Sequence, residues 1–266
     1  MNKKIVYSVA AIVVAGILFS CKNEDKPPVV PPPPPIPTIT YSIDKTLIHD
    51  TSFYTQGLVI YKGGLYEGTG LEGKSRLMKI DRNTGNVLLN KNIDAKYFGE
   101  GVTILNDTVY QLTWRNHVVL LYNVKDLSLI KEIPLATEGW GITTDGKQLI
   151  VSDGSSNINF YEPGTFKDIR KVSVTENGEF VNNVNELEYI NGYIYANRYQ
   201  TNEILKIDPA NGNVIAKMDF SQVQQNIRNK KADADVLNGI AYDSATKKVY
   251  VTGKLWPELY EITLGQ

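Results

Sequence analysis

From about Ile39 to Leu264 the chain repeats a pair of hairpins, and a repeat of this kind leaves few folds open. The first hairpin is an apolar strand, a tight turn and a second apolar strand. It occurs as Gly57–Tyr66, Gly101–Tyr110, Gly141–Ile150, Leu187–Tyr195 and Gly239–Tyr250. Gly-Gly, Asn-Asp, Asp-Gly and Asn-Gly stand at bends, which is the chemistry of tight hairpin turns. A second hairpin follows each copy: Leu77–Leu88, Val119–Ile130, Ile158–Phe166 and Ile204–Ile215, with a last, incomplete one at Glu258–Leu264. Two hairpins make a four-stranded antiparallel unit of propeller-blade length. The pattern therefore predicts an all-β chain, a five-bladed β-propeller, with a six-bladed ring as the alternative. The strand missing from the last unit is expected from Thr38–Ile43, which would close the ring and remove its sheet edges. Ser221–Lys230 is the one stretch with a helical period, a short insertion before the last blade.

The first 38 residues are not read as part of this ring. Lys3 and Lys4 precede an apolar run, Ile5–Phe19, too short for a comfortable membrane span. It ends in Leu18-Phe19-Ser20-Cys21, which resembles a bacterial lipobox. The reading is a signal peptide at 1–20 and a lipidated Cys21. A charged, proline-rich tether runs to residue 38, followed by the propeller domain at 39–266. This makes the chain a lipid-anchored lipoprotein of a bacterial cell envelope, touching membrane through the anchor alone. Cys21 is the only cysteine, so no intramolecular disulfide can form. A formal net charge of −1 gives no pull toward nucleic acid, and none is expected as a partner.

In a propeller the innermost strands converge on an axis, and the loops leading into them line one face. The residues there are Gln56, Glu100, Trp140, Asn185 and Asn238, each at or beside the first residue of a repeat. The returning strands end at Tyr66-Glu67, Trp114, Asp153, Tyr199 and Lys254 with Trp256. Gln56, Glu100, Trp114, Trp140, Asn185, Tyr199 and Lys254 are therefore expected in one pocket, and all three tryptophans lie at these hairpin ends. Phe98-Gly99-Glu100-Gly101 is the sharpest of the segments. It sets a carboxylate between two glycines, with an aromatic two residues before it, at the mouth of a buried strand. The chemistry available is narrow. His49 and His117 are the only histidines, too few for a His-based zinc site, and no serine–histidine arrangement recurs at these positions.

Several motifs in this order resemble the plant and bacterial glutamine cyclotransferases: Tyr54-Thr-Gln-Gly57, Tyr66-Glu-Gly-Thr-Gly-Leu71, Phe98-Gly-Glu-Gly101 and Leu112-Thr-Trp114. Glu138-Gly-Trp-Gly141, Asn185-Glu-Leu-Glu188, Leu237-Asn-Gly-Ile240 and Thr252-Gly-Lys-Leu-Trp256 continue the series. The resemblance covers about residues 45–264. It implies a five-bladed propeller enzyme that needs no metal or other cofactor, and that turns N-terminal glutamine into pyroglutamate with loss of ammonia. A structural calcium in the channel stays open. It implies Glu100 as general acid/base and a substrate pocket shaped by Tyr54, Gln56, Phe98, Trp114, Trp140, Asn185, Tyr199 and Lys254. Tyr54 and Tyr199 depart from the family pattern, which has Phe and commonly Trp there, but both keep an aromatic wall. The partner expected is a peptide or protein beginning with Gln, met by a monomer. Two other readings compete. One is a non-catalytic propeller holding a peptide or envelope partner in the same funnel. The other is a sugar-cleaving enzyme in which Glu67 or Glu186 pairs with Glu100.

Overall fold

The computed structural model describes residues 34–265. The expected signal peptide, Cys21 and most of the tether lie outside the described residues. Five four-stranded antiparallel sheets form the ring. After β1 (Tyr41–Ile48), blade 1 holds β2 (Thr55–Tyr61), β3 (Gly64–Thr69), β4 (Arg76–Ile80) and β5 (Val87–Asn92). Blade 2 holds β6 (Gly99–Leu105), β7 (Thr108–Thr113), β8 (Val118–Asn123) and β9 (Leu129–Pro134). Blade 3 holds β10 (Ile142–Thr144), β11 (Leu149–Ser152), β12 (Asn157–Tyr161) and β13 (Asp168–Ser173), followed by a two-stranded hairpin, β14 (Thr175–Glu176) and β15 (Glu179–Phe180). Blade 4 holds β16 (Val184–Ile190), β17 (Tyr193–Arg198), β18 (Glu203–Ile207) and β19 (Val214–Asp219). The expected helix, α1 (Ser221–Lys230), leads into blade 5, formed by β20 (Leu237–Asp243), β21 (Lys248–Gly253), β22 (Glu258–Leu264) and β1.

The sequence explains where the apolar mass goes. Inner strands are buried along nearly their whole length, whereas β5, β9 and β13 at the rim are largely exposed. The buried residues fall into five clusters, one at each blade interface. Leu77, Val102 and Leu120 fill the joint between blades 1 and 2, for example, and Ile150, Leu187 and Leu205 that between blades 3 and 4. Helix α1 has Val223 and Ile227 one turn apart, and both enter the joint between blades 4 and 5.

β1 pairs with β22 from Tyr41↔Leu264 to Ile48↔Glu258, so the ring closes as expected, but with a different strand boundary. The pairing segment is 41–48 and not 38–43. Thr38 instead bridges to Lys217 of β19 in blade 4, where the Lys217 N–H donates to the Pro37 carbonyl at 2.9 Å and the Ile39 N–H donates to the Lys217 carbonyl at 2.7 Å. Ile36 packs against the core between blades 3 and 4. β1 is a rim strand with mostly exposed positions, so its sequence carries no apolar alternation to mark where it starts.

The axis is built from backbone. The inner strands β2, β6, β16 and β20 each slip register at their first residues, between Thr55 and Gly57, Gly99 and Val102, Val184 and Leu187, and Leu237 and Ile240. Gln56, Glu100, Asn185 and Asn238 sit inside these irregularities, which re-aim a side chain out of the ladder. Trp140 holds the matching place two residues before Ile142. The next residue is glycine in blades 1, 2 and 3 because neighbouring strands touch there. A Cβ on Gly57 would lie 2.2 Å from the Val102 nitrogen, on Gly101 2.6 Å from the Trp140 oxygen, and on Gly141 2.1 Å from the Asn185 oxygen. Blade 4 has Glu186 in this place. Its carboxylate accepts from the Leu58 N–H at 3.2 Å and the Ile240 N–H at 2.8 Å, tying blade 4 to blades 1 and 5. Two residues on, Glu188 accepts from the Tyr242 N–H at 2.7 Å and the Thr143 hydroxyl at 3.1 Å, reaching blades 5 and 3.

Candidate active site

The slipped residues and the ends of the returning strands meet in one cavity of about 210 Å³. Gln56, Glu100, Trp140 and Asn185 reach it from the start of inner strands, and Trp114, Tyr199 and Lys254 from just beyond the returning ones. Tyr54 and Phe98 come from the loops between. All nine residues singled out from the sequence line this space, together with Leu71, which the sequence did not single out.

Glu100 is 5% exposed. Its one side-chain hydrogen bond is from the Gln56 amide, at 3.3 Å. Gln56 is steadied in turn by Asn238, whose Nδ2 lies 3.5 Å from its Oε1 and donates to the Thr55 carbonyl at 2.9 Å. Burial pushes the Glu100 carboxyl well above the usual carboxylate range; the Lys254 cation works against this, and the Glu138 charge adds to it. Lys254 is 3% exposed, and its Nζ lies 4.6 Å from the Tyr54 ring centre and 5.0 Å from that of Tyr199. Burial lowers its pKa, opposed by the Glu100 and Asp235 charges. Among the described residues no carboxylate stands within ion-pair distance of it. The cavity thus holds an acid and a base, each shifted from its ordinary titration range by burial among aromatic walls.

Those walls are fixed by glycines and by one carboxylate. A Cβ on Gly70 would lie 2.4 Å from the Phe98 ring, and one on Gly154 2.3 Å from the Trp140 indole, so both rings lie against bare backbone. Phe98 meets Trp114 edge-on at 5.5 Å, and Trp140 meets Tyr199 edge-on at 5.7 Å. Both indole N–H groups donate to a single oxygen, Glu138 Oε2, at 2.9 Å from Trp114 and 3.1 Å from Trp140. The other oxygen accepts from Arg115 at 3.3 Å, and the guanidinium covers the Trp114 ring at 3.8 Å. Glu138 is therefore a residue of the site that sequence reading placed in a motif without a role. Asp235 is another. Its carbonyl accepts from Trp256 Nε1 and Gln224 Nε2, each at 3.0 Å, and it accepts the Val236 N–H at 2.8 Å on its own side chain, beside Tyr54 and Lys254.

Some expectations are corrected. Trp256, the third tryptophan at a hairpin end, is fully buried in the joint between blades 4 and 5, lying on Gly253. Glu67 and Glu186 do not pair with Glu100. Glu67 faces away toward His49, whose Nε2 is 3.2 Å from it, and accepts from the Thr55 hydroxyl at 2.7 Å, while Glu186 serves the backbone of blades 1 and 5. Asn185 lines the cavity, and its Oδ1 is buried with no hydrogen-bond partner. Among the described residues, no three His, Cys, Asp or Glu side chains converge as a metal-binding group.

Comparison with known proteins agrees with this geometry. The model of the glutamine cyclotransferase family matches residues 11–264. A glutaminyl-peptide cyclotransferase of Arabidopsis thaliana is 41% identical over 222 residues, covering 82% of this chain and 69% of that protein. The crystal structure of Myxococcus xanthus glutaminyl cyclase superimposes with a TM-score of 0.81 at 31% identity, covering 87% of this chain and 98% of that one. With the family's match running through every blade and every wall of the cavity, the chain belongs to the glutamine cyclotransferase family.

Proposed function

We propose that this glutaminyl-peptide cyclotransferase closes the N-terminal glutamine of a peptide or protein into pyroglutamate, with Glu100 carrying the proton and ammonia leaving. The observation that supports this best is a buried carboxyl with one long hydrogen bond, standing in an aromatic cavity the size of a single folded residue. In the reaction the substrate's α-amino nitrogen attacks its own γ-carboxamide carbon. A C–N bond forms, and the bond to the amide nitrogen breaks. Glu100 takes the proton that the attacking amine sheds and returns it to the departing nitrogen, so no net proton is consumed. Help of this kind is typically worth about 10²–10⁴-fold. The aromatic walls hold the side chain curled over, and oriented intramolecular attack reaches effective molarities of roughly 10⁵–10⁸ M.

The remaining polar groups divide naturally. The Gln56 amide is engaged with Glu100. Asn185, a second amide in the lining, hydrogen-bonds the substrate's amine or carboxamide. Lys254, free of carboxylates, answers the negative charge that develops on the γ-carbonyl oxygen. No step is assigned to a metal. Ammonia release from Gln-initiated dipeptides is expected, with little from Asn- or Glu-initiated ones, and turnover is expected to survive dialysis against EDTA. Loss of turnover restored by zinc would sink this mechanism.

The lipid anchor at Cys21 stays part of the proposal. It is supported by the basic start, short apolar run and Leu-Phe-Ser-Cys segment of residues 3–21. Cys21→Ser is expected to move the protein from the membrane to the soluble fraction.

A further inference from the structure

The cyclising reaction needs only the first residue inside the cavity of about 210 Å³, so the rest of a peptide substrate leaves it across the rim. Two grooves adjoin that rim on the side of blades 1 and 2. One, of about 540 Å³, shares Leu71 with the cavity. The other shares Phe98 and Trp114. They differ in charge. The Phe98 side is mixed: it carries Glu72, Lys96 and Arg115, with Lys96 3.8 Å from Asp94 and Arg115 3.3 Å from Glu138. The Leu71 side carries Lys74 and Arg76 and is lined by no carboxylate. Among the described residues neither cation has an ion-pair partner. Lys74 is exposed, and the Arg76 guanidinium lies 5.0 Å from the centre of the Phe53 ring.

The partition between cavity and groove is rigidly made. Leu71 sits in the left-handed region at φ +86°, which a leucine adopts only when held there. The holding bonds are present. Gly70 N–H donates to the Tyr54 carbonyl at 2.8 Å, and the Leu71 carbonyl accepts from the Ser75 hydroxyl at 2.8 Å and the Lys74 N–H at 3.1 Å. Ser75 Oγ accepts in turn from the Gly99 N–H at 2.9 Å, one residue from Glu100. Leu71 is thus a fixed ridge over which a peptide passes from the cavity into the groove.

We infer that this groove is the subsite for the residues following the N-terminal glutamine, and that Lys74 and Arg76 make it select an acidic side chain there. The inference rests on the cyclising reaction proposed above and names the substrates it favours. The test uses the full chain and C-terminally amidated peptides Gln-Ala-Ala, Gln-Glu-Ala, Gln-Ala-Glu and Gln-Lys-Ala. At low ionic strength, kcat/KM for at least one glutamate peptide is expected to exceed that of Gln-Ala-Ala by about two- to fivefold, as befits exposed charge pairs, and the lysine peptide to fall below it. The advantage should shrink toward one in high salt. Lys74→Glu, alone and with Arg76→Gln, should collapse or reverse the ratio of acidic to neutral peptide. The single exposed change serves if the double variant melts early. Equal kcat/KM for acidic and neutral peptides, or a ratio that survives both variants, would overturn the subsite. Failure to turn over any Gln-initiated peptide would overturn the cyclising reaction itself, and the subsite with it.

Discussion

Glu100 and Glu186 invite comparison. Both are buried glutamates at the start of an inner strand, 5% and 1% exposed, and burial pushes both carboxyls well above the usual range. They differ in what their oxygens touch. Glu186 accepts two backbone N–H groups from two other blades, and its neighbour Glu188 accepts an N–H and a hydroxyl. Glu100 has one long bond, from Gln56, and lines the cavity. Satisfied oxygens fit a carboxyl that holds the ring together, and a carboxyl with a free side toward the cavity fits the proton carrier proposed above. A displaced titration does not distinguish them, because structural networks shift pKa values as strongly as active sites do.

Four experiments can break or sharpen that division. Glu100→Gln keeps the shape and removes the exchangeable proton; turnover should fall about 10²–10⁴-fold with the melting temperature unchanged or slightly higher. Glu186→Ala should do the opposite. It leaves the Leu58 and Ile240 N–H groups buried without acceptors, at about 1–3 kcal/mol each, so the melting temperature drops while folded protein keeps most of its turnover. If Glu186→Ala instead silenced a protein of normal stability, the division would be wrong.

The third experiment is a pH series. Glu188 is pushed up to about 8 by burial, against an ordinary value of 4.5. A carboxyl that is harder to ionise in the fold than in the unfolded chain contributes stability in full below 4.5 and loses it as pH rises through about 8. Glu186 has the same sign. So does His49: its interactions with Glu67 and the Trp256 carbonyl outweigh burial, which is the largest single influence and acts the other way. The melting temperature should therefore decline between about pH 5 and 9, and Glu188→Gln should flatten the decline. A flat profile in the parent protein would contradict the assignment. The smallest effect concerns Glu138. Because its charge helps raise the Glu100 carboxyl, Glu138→Gln should move the Glu100 limb of the kcat/KM profile to lower pH, and loosening the two indoles should raise KM. An unmoved limb would mean that Glu138 acts through packing alone.

The ring was legible because each hairpin carries its own turn residues, and the cavity because side chains at equivalent positions of a repeat converge on the axis. What stayed hidden depended on contacts distant in sequence. The Glu186 role requires knowing that the backbone just past Gly57 and Gly239 leaves the Leu58 and Ile240 N–H groups facing the fourth blade. Glu138 reads as one acidic residue among many until two indoles are found on the same oxygen. Leu71 looks like a turn residue, since nothing in a leucine signals a left-handed backbone. Trp256 lies beyond a returning strand as Trp114 does, but it folds back over Gly253 into the joint between blades 4 and 5.

The closure of blade 5 has a consequence for how the chain reaches its final state. Strand β1 is made first and used last, since its partner β22 is the final strand of the ring. Throughout synthesis, segment 41–48 must wait without pairing to itself or to another copy. Its sequence, Tyr-Ser-Ile-Asp-Lys-Thr-Leu-Ile, places two charges at its centre, the usual guard against strands joining at an open edge. On docking, Lys45 comes to 3.0 Å from Glu261 and Asp44 to 2.8 Å from Lys248. The charges that keep the waiting strand soluble are then the ones that fasten it.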